Sequence, residues 1–252
     1  GVHPRTLPNN QDGTLPLLLL EQSIRHEDIH SPSTRLICLE NTHNFCQGSP
    51  ISPEYMDCLG DLAKKYGLKV HLDGARLFNA AVALDIDVEV LTKRVDSVMF
   101  CLSKGLSAPV GSIVCGERGF IQRARKFRKM VGGGMRQAGH LAAAGLVALE
   151  SLTERLKDDH LHAKFLAEQL ASFEGIELDQ NSVKTNIIFF KLNHPRIDED
   201  LFLRALEENS IKILMTDPGI FRAVLHREIT REQIETVAKV IQSVLNKGQQ
   251  VS

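Results

Sequence analysis

The sequence predicts an α/β protein: a mainly parallel sheet with helical crossovers, then a smaller second α/β domain. Three observations carry this. From residue 36 to residue 115 short apolar runs alternate with helix-length segments, the pattern of parallel strands joined by helices. After about residue 150 the rhythm changes, and strands and helices recur in a different order. The whole chain, 252 residues with 43% hydrophobic and 24% charged, has the composition of a globular protein of one or two domains. We divide it at 1–150 for the large domain and 151–252 for the small one.

In order, Pro and Asn make a loop of the stretch to Gly13, and Leu15 to Glu27 reads as a helix. Leu36 to Leu39 is a buried strand, and Asn41 to Ser49 is a polar loop at its carboxyl end. Ser52 caps a helix with Pro53 and Glu54 in its first turn, Met56, Leu59, Leu62 and Ala63 on one face, and Gly67 as its stop. Lys69 to Asp73 is a strand, Ala75 to Ala83 a helix, Ser97 to Cys101 and Pro109 to Cys115 further strands, and Glu117 to Lys129 a basic helix. After Gly132-Gly133-Gly134 a long helical region runs to Phe173, interrupted near Gly145. Strands are expected at Asn186 to Lys191, Ile211 to Met215 and Phe221 to Leu225, with a helix at Asp198 to Asn209. Thr230 and Gln233 form a capping box that starts a last amphipathic helix through Leu245.

Charge and composition exclude several functions. Thirty Lys+Arg against 31 Asp+Glu, with no Trp and two Tyr, give neither a field that gathers polyanions nor stacking surface for bases, so no nucleic acid is expected as a partner. The longest aliphatic run, Leu17 to Leu20, is far short of the roughly 20 residues of a membrane span, so no membrane is expected either. Five cysteines, odd in number and without a Cys-x-x-Cys pair, suit a reducing compartment. With neither a signal nor a transit peptide visible, the expected location is cytosolic. Gly1 in place of an initiator Met suggests a start in mid-protein.

Chemistry concentrates in three places. In His71-Leu72-Asp73-Gly74-Ala75-Arg76 a strand period of two puts His71 and Asp73 on one face. Asp73 there either holds a cationic ring nitrogen or caps the next helix; no third ligand has a telling spacing, so no metal is expected. Ser103-Lys104-Gly105 follows a buried strand, where a partly desolvated amine can form a Schiff base, although loop lysines are commonly just solvated charges. The cations from Arg123 to Lys129 lead into three glycines and Arg136, which suits either an anion cradle or a solvated helix face followed by a linker. An acid, a lysine and an anion cradle together suit a phosphorylated, electron-withdrawing aldehyde such as pyridoxal 5'-phosphate.

Four stretches are decisive in combination: Leu39-Glu40-Asn41-Thr42-His43-Asn44, His71 to Asn79, Ser97 to Leu106, and Arg128 to Gln137. On these the sequence closely resembles the low-specificity L-threonine aldolases, members of the aspartate aminotransferase-like fold (fold type I) of pyridoxal phosphate enzymes. The resemblance implies that Lys104 carries the cofactor as a Schiff base, that Asp73 pairs with its pyridine nitrogen, and that Ser103 meets its phosphate. It places Arg76 near the phenolic oxygen and the substrate carboxylate, and Arg222 on that carboxylate from the small domain. Lys129 and Arg136 would reach the phosphate of a neighbouring subunit, which implies a homo-oligomer, dimer or tetramer, with shared active sites. His30 matches the position beside the substrate hydroxyl, as catalytic and substrate-binding residue; its other reading is a surface-loop histidine. The implied substrate is a small β-hydroxy amino acid, L-threonine or L-allo-threonine, cleaved to glycine and acetaldehyde. Family members carry further residues ahead of the point matching Gly1, among them a phosphate-gripping Gly-Thr loop and a ring-stacking histidine, so the large domain is expected to be incomplete at its amino end. Two alternatives fit the same motifs: a relative without catalysis, and another reaction at Cα such as transamination or racemisation.

Overall fold

In a computed structural model, residues 2–247 are described, Lys247 by its backbone alone. Gly1, the start of the predicted first loop, and 248–252, the end of the predicted small domain, lie outside them. The chain forms two compact units that divide between Glu154 and Arg155.

The first unit runs α1 (Leu17–Ser23), β1 (Leu36–Glu40), α2 (Pro53–Lys65), β2 (Lys69–Asp73), α3 (Leu77–Leu84), α4 (Val88–Thr92), β3 (Ser97–Cys101), β4 (Ser112–Gly116), α5 (Arg118–Met130) and α6 (Gly139–Ser151). Its sheet has the order β1-β2-β3-β4. The first three strands are parallel, because α2, α3 and α4 return the chain to the same edge before each new strand. β4 is antiparallel to β3, since the ten-residue connection 102–111 contains no helix to make a crossover.

Alternation along the strands sorts the two faces. Ile37, Leu39, Val70, Leu72 and Val98 point to one side and bury with Met56, Leu59, Ala63, Leu77, Ala80 and Leu91 of the helices. On the other side Leu36, Cys38 and Asp73 are exposed. Ser52 caps α2 by accepting the Tyr55 N–H, as its sequence predicts, and Gly67 turns the chain out of it at φ 64°.

Some boundaries differ from expectation for local reasons. The first helix ends at Ser23 rather than Glu27, because Ile24 turns extended and Arg25 bonds Thr34 through N–H to Oγ1 and through C=O to N–H. The predicted break at Gly145 falls instead between Ser151 and Leu156. Gly145 lies within α6, where a Cβ would stand 3.0 Å from Leu102 Cδ1, so its role is close packing. α4 was not expected.

The second unit runs α7 (Leu156–Ala171), β5 (Ile176–Glu177), β6 (Ile187–Leu192), α8 (Glu199–Glu208), β7 (Leu214–Asp217), β8 (Ile220–Val224) and α9 (Arg231–Lys247). Its sheet, β5-β6-β8-β7, is antiparallel throughout. β7 begins three residues later than predicted, because the Ile211 N–H is still spent on the Leu206 carbonyl at the end of α8. Phe190, Phe202 and Phe221 meet at the centre of this unit's core, with centroids 5.1 to 6.3 Å apart. The capping box ahead of α9 forms as written: Gln233 N–H donates to Thr230 Oγ1 at 3.3 Å, and Thr230 N–H to Gln233 Oε1 at 2.9 Å. Among the described residues no helix is long and apolar enough to cross a membrane.

Candidate active site

The carboxyl ends of β1, β2 and β3 lie along one edge, since the three strands are parallel and in register: Glu40 stands opposite Asp73, and Asp73 opposite Met99. Asp73 is the last residue of β2, and Ser103 and Lys104 follow two and three residues after β3. The fold thus brings the acid and the amine to the ends of neighbouring strands, the place where open α/β sheets bind ligands.

Asp73 is exposed, and its Oδ1 accepts the Ala75 N–H at 3.0 Å. This bond shapes the turn out of the strand; α3 itself begins two residues later, at Leu77, with Arg76 as its N-cap and no side-chain cap bond. Gly74 sits where a Cβ would come 2.7 Å from the Met99 carbonyl, and its N–H bonds that same oxygen, so the β2 and β3 ends close tightly here. Ser103 and Lys104 are exposed, and the turn beyond them is closed by Ser107 N–H on the Lys104 carbonyl at 2.9 Å.

The loop after β1 faces the same edge. Asn41, fully buried, accepts the Ile51 N–H at 3.0 Å and donates to the Ile51 carbonyl at 3.2 Å, while its own N–H goes to the Asp73 carbonyl at 2.9 Å. Its carboxamide therefore closes the loop 41–51 into a ring, and its backbone N–H fastens that ring to the end of β2. From that loop Asn44 Oδ1 accepts Arg76 Nη1–H at 3.4 Å. The sequence motif contains Asn41 and Asn44, yet sequence reasoning gave them no role. Their only signal is two carboxamides just past a strand end, which is also the composition of an ordinary turn.

The other expected residues come from other segments of the first unit or from the second unit. His30 is exposed in the turn 28–31, where its N–H bonds Asp28 Oδ1 at 2.6 Å. Lys129 stands exposed in the last turn of α5, and Arg136 stands exposed beyond it. The glycines between them differ from an anion cradle in one respect. Gly133 N–H bonds the Arg128 carbonyl at 2.8 Å and Gly132 N–H the Lys129 carbonyl at 3.2 Å, so both amides satisfy orphan carbonyls at the helix end. Arg222 is half-buried on β8 of the second unit, opposite Phe189 and Leu214. Among the described residues no group of three or more His, Cys, Asp and Glu could hold a metal ion.

Residues 1–193 match the family described as beta-eliminating lyase. Low-specificity L-threonine aldolase 1 of Arabidopsis thaliana is 44% identical over 255 residues, spanning 100% of this chain and 71% of that protein. The low specificity L-threonine aldolase of Escherichia coli (strain K12) is 39% identical over 237 residues, spanning 94% of this chain and 68% of that one. Among solved structures, Leishmania major threonine aldolase superposes with a TM-score of 0.71 at 18% identity, covering 91% of this chain and 66% of its own. A PLP-dependent aminotransferase from Streptococcus suis gives 0.73 at 18% identity, covering 98% and 65%. These two likenesses establish the fold, and the chain spans just under two thirds of each structure.

Proposed function

The chain belongs to the beta-eliminating lyase family and, within it, to the low-specificity L-threonine aldolases; from that premise we propose that it catalyses pyridoxal phosphate-dependent cleavage of L-threonine or L-allo-threonine to glycine and acetaldehyde. The observation that carries the reading is the placing of Asp73 and Lys104 at the ends of adjacent parallel strands. A carboxylate for a cationic ring nitrogen and an amine for an aldehyde are the two groups this cofactor requires, so the donor set fits it. When bound, the cofactor supplies an electron sink for the pair left at Cα as its bond to Cβ breaks.

In this reading each side chain has one task. Lys104 would hold the cofactor through its Nζ amine. Asp73 would keep the ring nitrogen protonated, its carboxylate accepting the ring N–H hydrogen bond in an ion pair. Ser103 holds phosphate, and Lys129 and Arg136 reach a neighbouring subunit's phosphate in a homo-oligomer, dimer or tetramer. Arg76 and Arg222 bind the substrate carboxylate, for which a planar fork of donors is suited. His30 would take the proton from the β-hydroxyl as the carbon–carbon bond breaks and acetaldehyde leaves; one proton delivered to Cα completes glycine and balances the one taken, so no proton is gained or lost overall. Residues 1–150 then form the cofactor-binding domain and 151–252 the small domain. The reaction serves threonine catabolism and glycine biosynthesis, and the free thiols suit a cytosolic enzyme.

The test is a visible absorption spectrum of the chain after adding pyridoxal phosphate and removing the excess, beside a Lys104→Ala control, followed by an assay for acetaldehyde from L-threonine. A Lys104-dependent band and acetaldehyde release are expected. Turnover by Lys104→Ala equal to the parent, or a band without any cleavage of threonine, would overturn the reading.

A further inference from the structure

We propose that Asn44 is a positioning residue for the Arg76 guanidinium, and that the closed loop 41–51 presents it; this rests on the substrate-binding role given to Arg76. The loop is fixed from several directions. Asn41 ties its ends together through Ile51 and binds it to the Asp73 carbonyl. Within it His43 N–H meets the Ser49 carbonyl at 3.0 Å, Gly48 N–H the His43 carbonyl at 3.0 Å, and Cys46 N–H His43 Nδ1 at 3.2 Å. From outside, the Cys46 thiol reaches the Asn10 carbonyl at 3.5 Å, and Gly13 packs so closely on His43 that a Cβ there would come 2.4 Å from His43 Cβ. Asn44 lies inside this brace, with bonded residues on both sides.

Arg76 comes from the turn between β2 and α3, and a long side chain starting there has many rotamers to choose from. A bond from Nη1 to Asn44 Oδ1, across 32 residues of chain, restricts that choice and orients the plane of the fork. The acceptor is a neutral carboxamide. It orients the guanidinium without adding a negative charge beside it, whereas an aspartate at the same place would partly cancel the charge offered to a carboxylate ligand.

The test uses the chain loaded with pyridoxal phosphate, glycine as ligand, calorimetric titration, and a double-mutant cycle of Asn44→Ala with Arg76→Ala. Asn44 is half-buried on a loop, so its truncation leaves the core intact. Asn44→Ala is expected to weaken glycine binding about tenfold, and to raise KM for L-threonine by a similar factor with kcat changed less than about threefold. In the Arg76→Ala background it should add less than about twofold, because a residue acting through Arg76 has nothing left to orient. An Asn44→Ala effect of equal size in both backgrounds, or none with Arg76 present, would overturn the proposal. Glycine binding that follows the expected cycle in a chain that leaves L-threonine uncleaved would sustain the positioning role and defeat the aldol reading; threonine cleavage unaffected by Asn44→Ala would do the reverse.

Discussion

Truncating Asn41 to alanine should loosen the edge where Asp73, Arg76 and Asn44 meet. Asn41 is 0% exposed and Ile51 1%, and the Asn41 carboxamide bonds both the N–H and the C=O of Ile51. Alanine leaves these two backbone groups buried without those partners. Each such orphan costs about 1–3 kcal/mol, so the first unit should lose about 2–6 kcal/mol. Asn41→Asp separates the two bonds. Its carboxylate still accepts the Ile51 N–H, but it sets an anion against the Ile51 carbonyl. That contact and burial both favour the protonated acid, raising its folded-state pKa. A raised carboxyl pKa makes the aspartate variant firmest at low pH, with stability lost as pH rises through the folded value. The assay is urea unfolding followed by circular dichroism, joined to hydrogen exchange at the Ile51 amide, which should lose its protection in Asn41→Ala. A change in unfolding free energy below about 0.5 kcal/mol, with the Ile51 amide still protected, would refute the claim that this side chain closes the loop.

Two further outcomes concern the second unit. Burial holds the His160 imidazole well below its ordinary range, at about 4, so it stays neutral in the fold while the unfolded chain takes up a proton below about 6.5. Stability should therefore fall as pH drops from about 6.5 to 4 and then level off, by up to about 3 kcal/mol; urea midpoints across that range, compared with His160→Leu, check it, and parallel pH curves would rule it out. Phe221 is 0% exposed and stacks on Phe190 with centroids 5.5 Å apart. Phe221→Ala should cost about 3–5 kcal/mol through lost burial and the cavity left behind, read as a lowered thermal midpoint; a shift of less than about 2 °C would mean that the site collapses freely.

Periodicity and caps are local, and the sequence by itself determined what they govern. The strands at 36, 69 and 97, the Ser52 cap, the Thr230–Gln233 box and the order of acid and amine along the chain all follow from residue types at short spacing. The four motifs likewise identified the family, because their combination is rare even though each member is common. Tertiary structure alone decided where the chain departs from those local signals. The helix expected to reach Glu27 yields to the Arg25–Thr34 pairing, and Gly145 serves packing on Leu102 instead of a break. The glycines after α5 close the helix with two of their amides. Above all, the contact of Asn44 with Arg76 and the clip between Asn41 and Ile51 join residues 32 and 10 positions apart. Their carboxamides have no local period that marks them, and they become a site only because parallel strands bring a loop and a turn to the same edge.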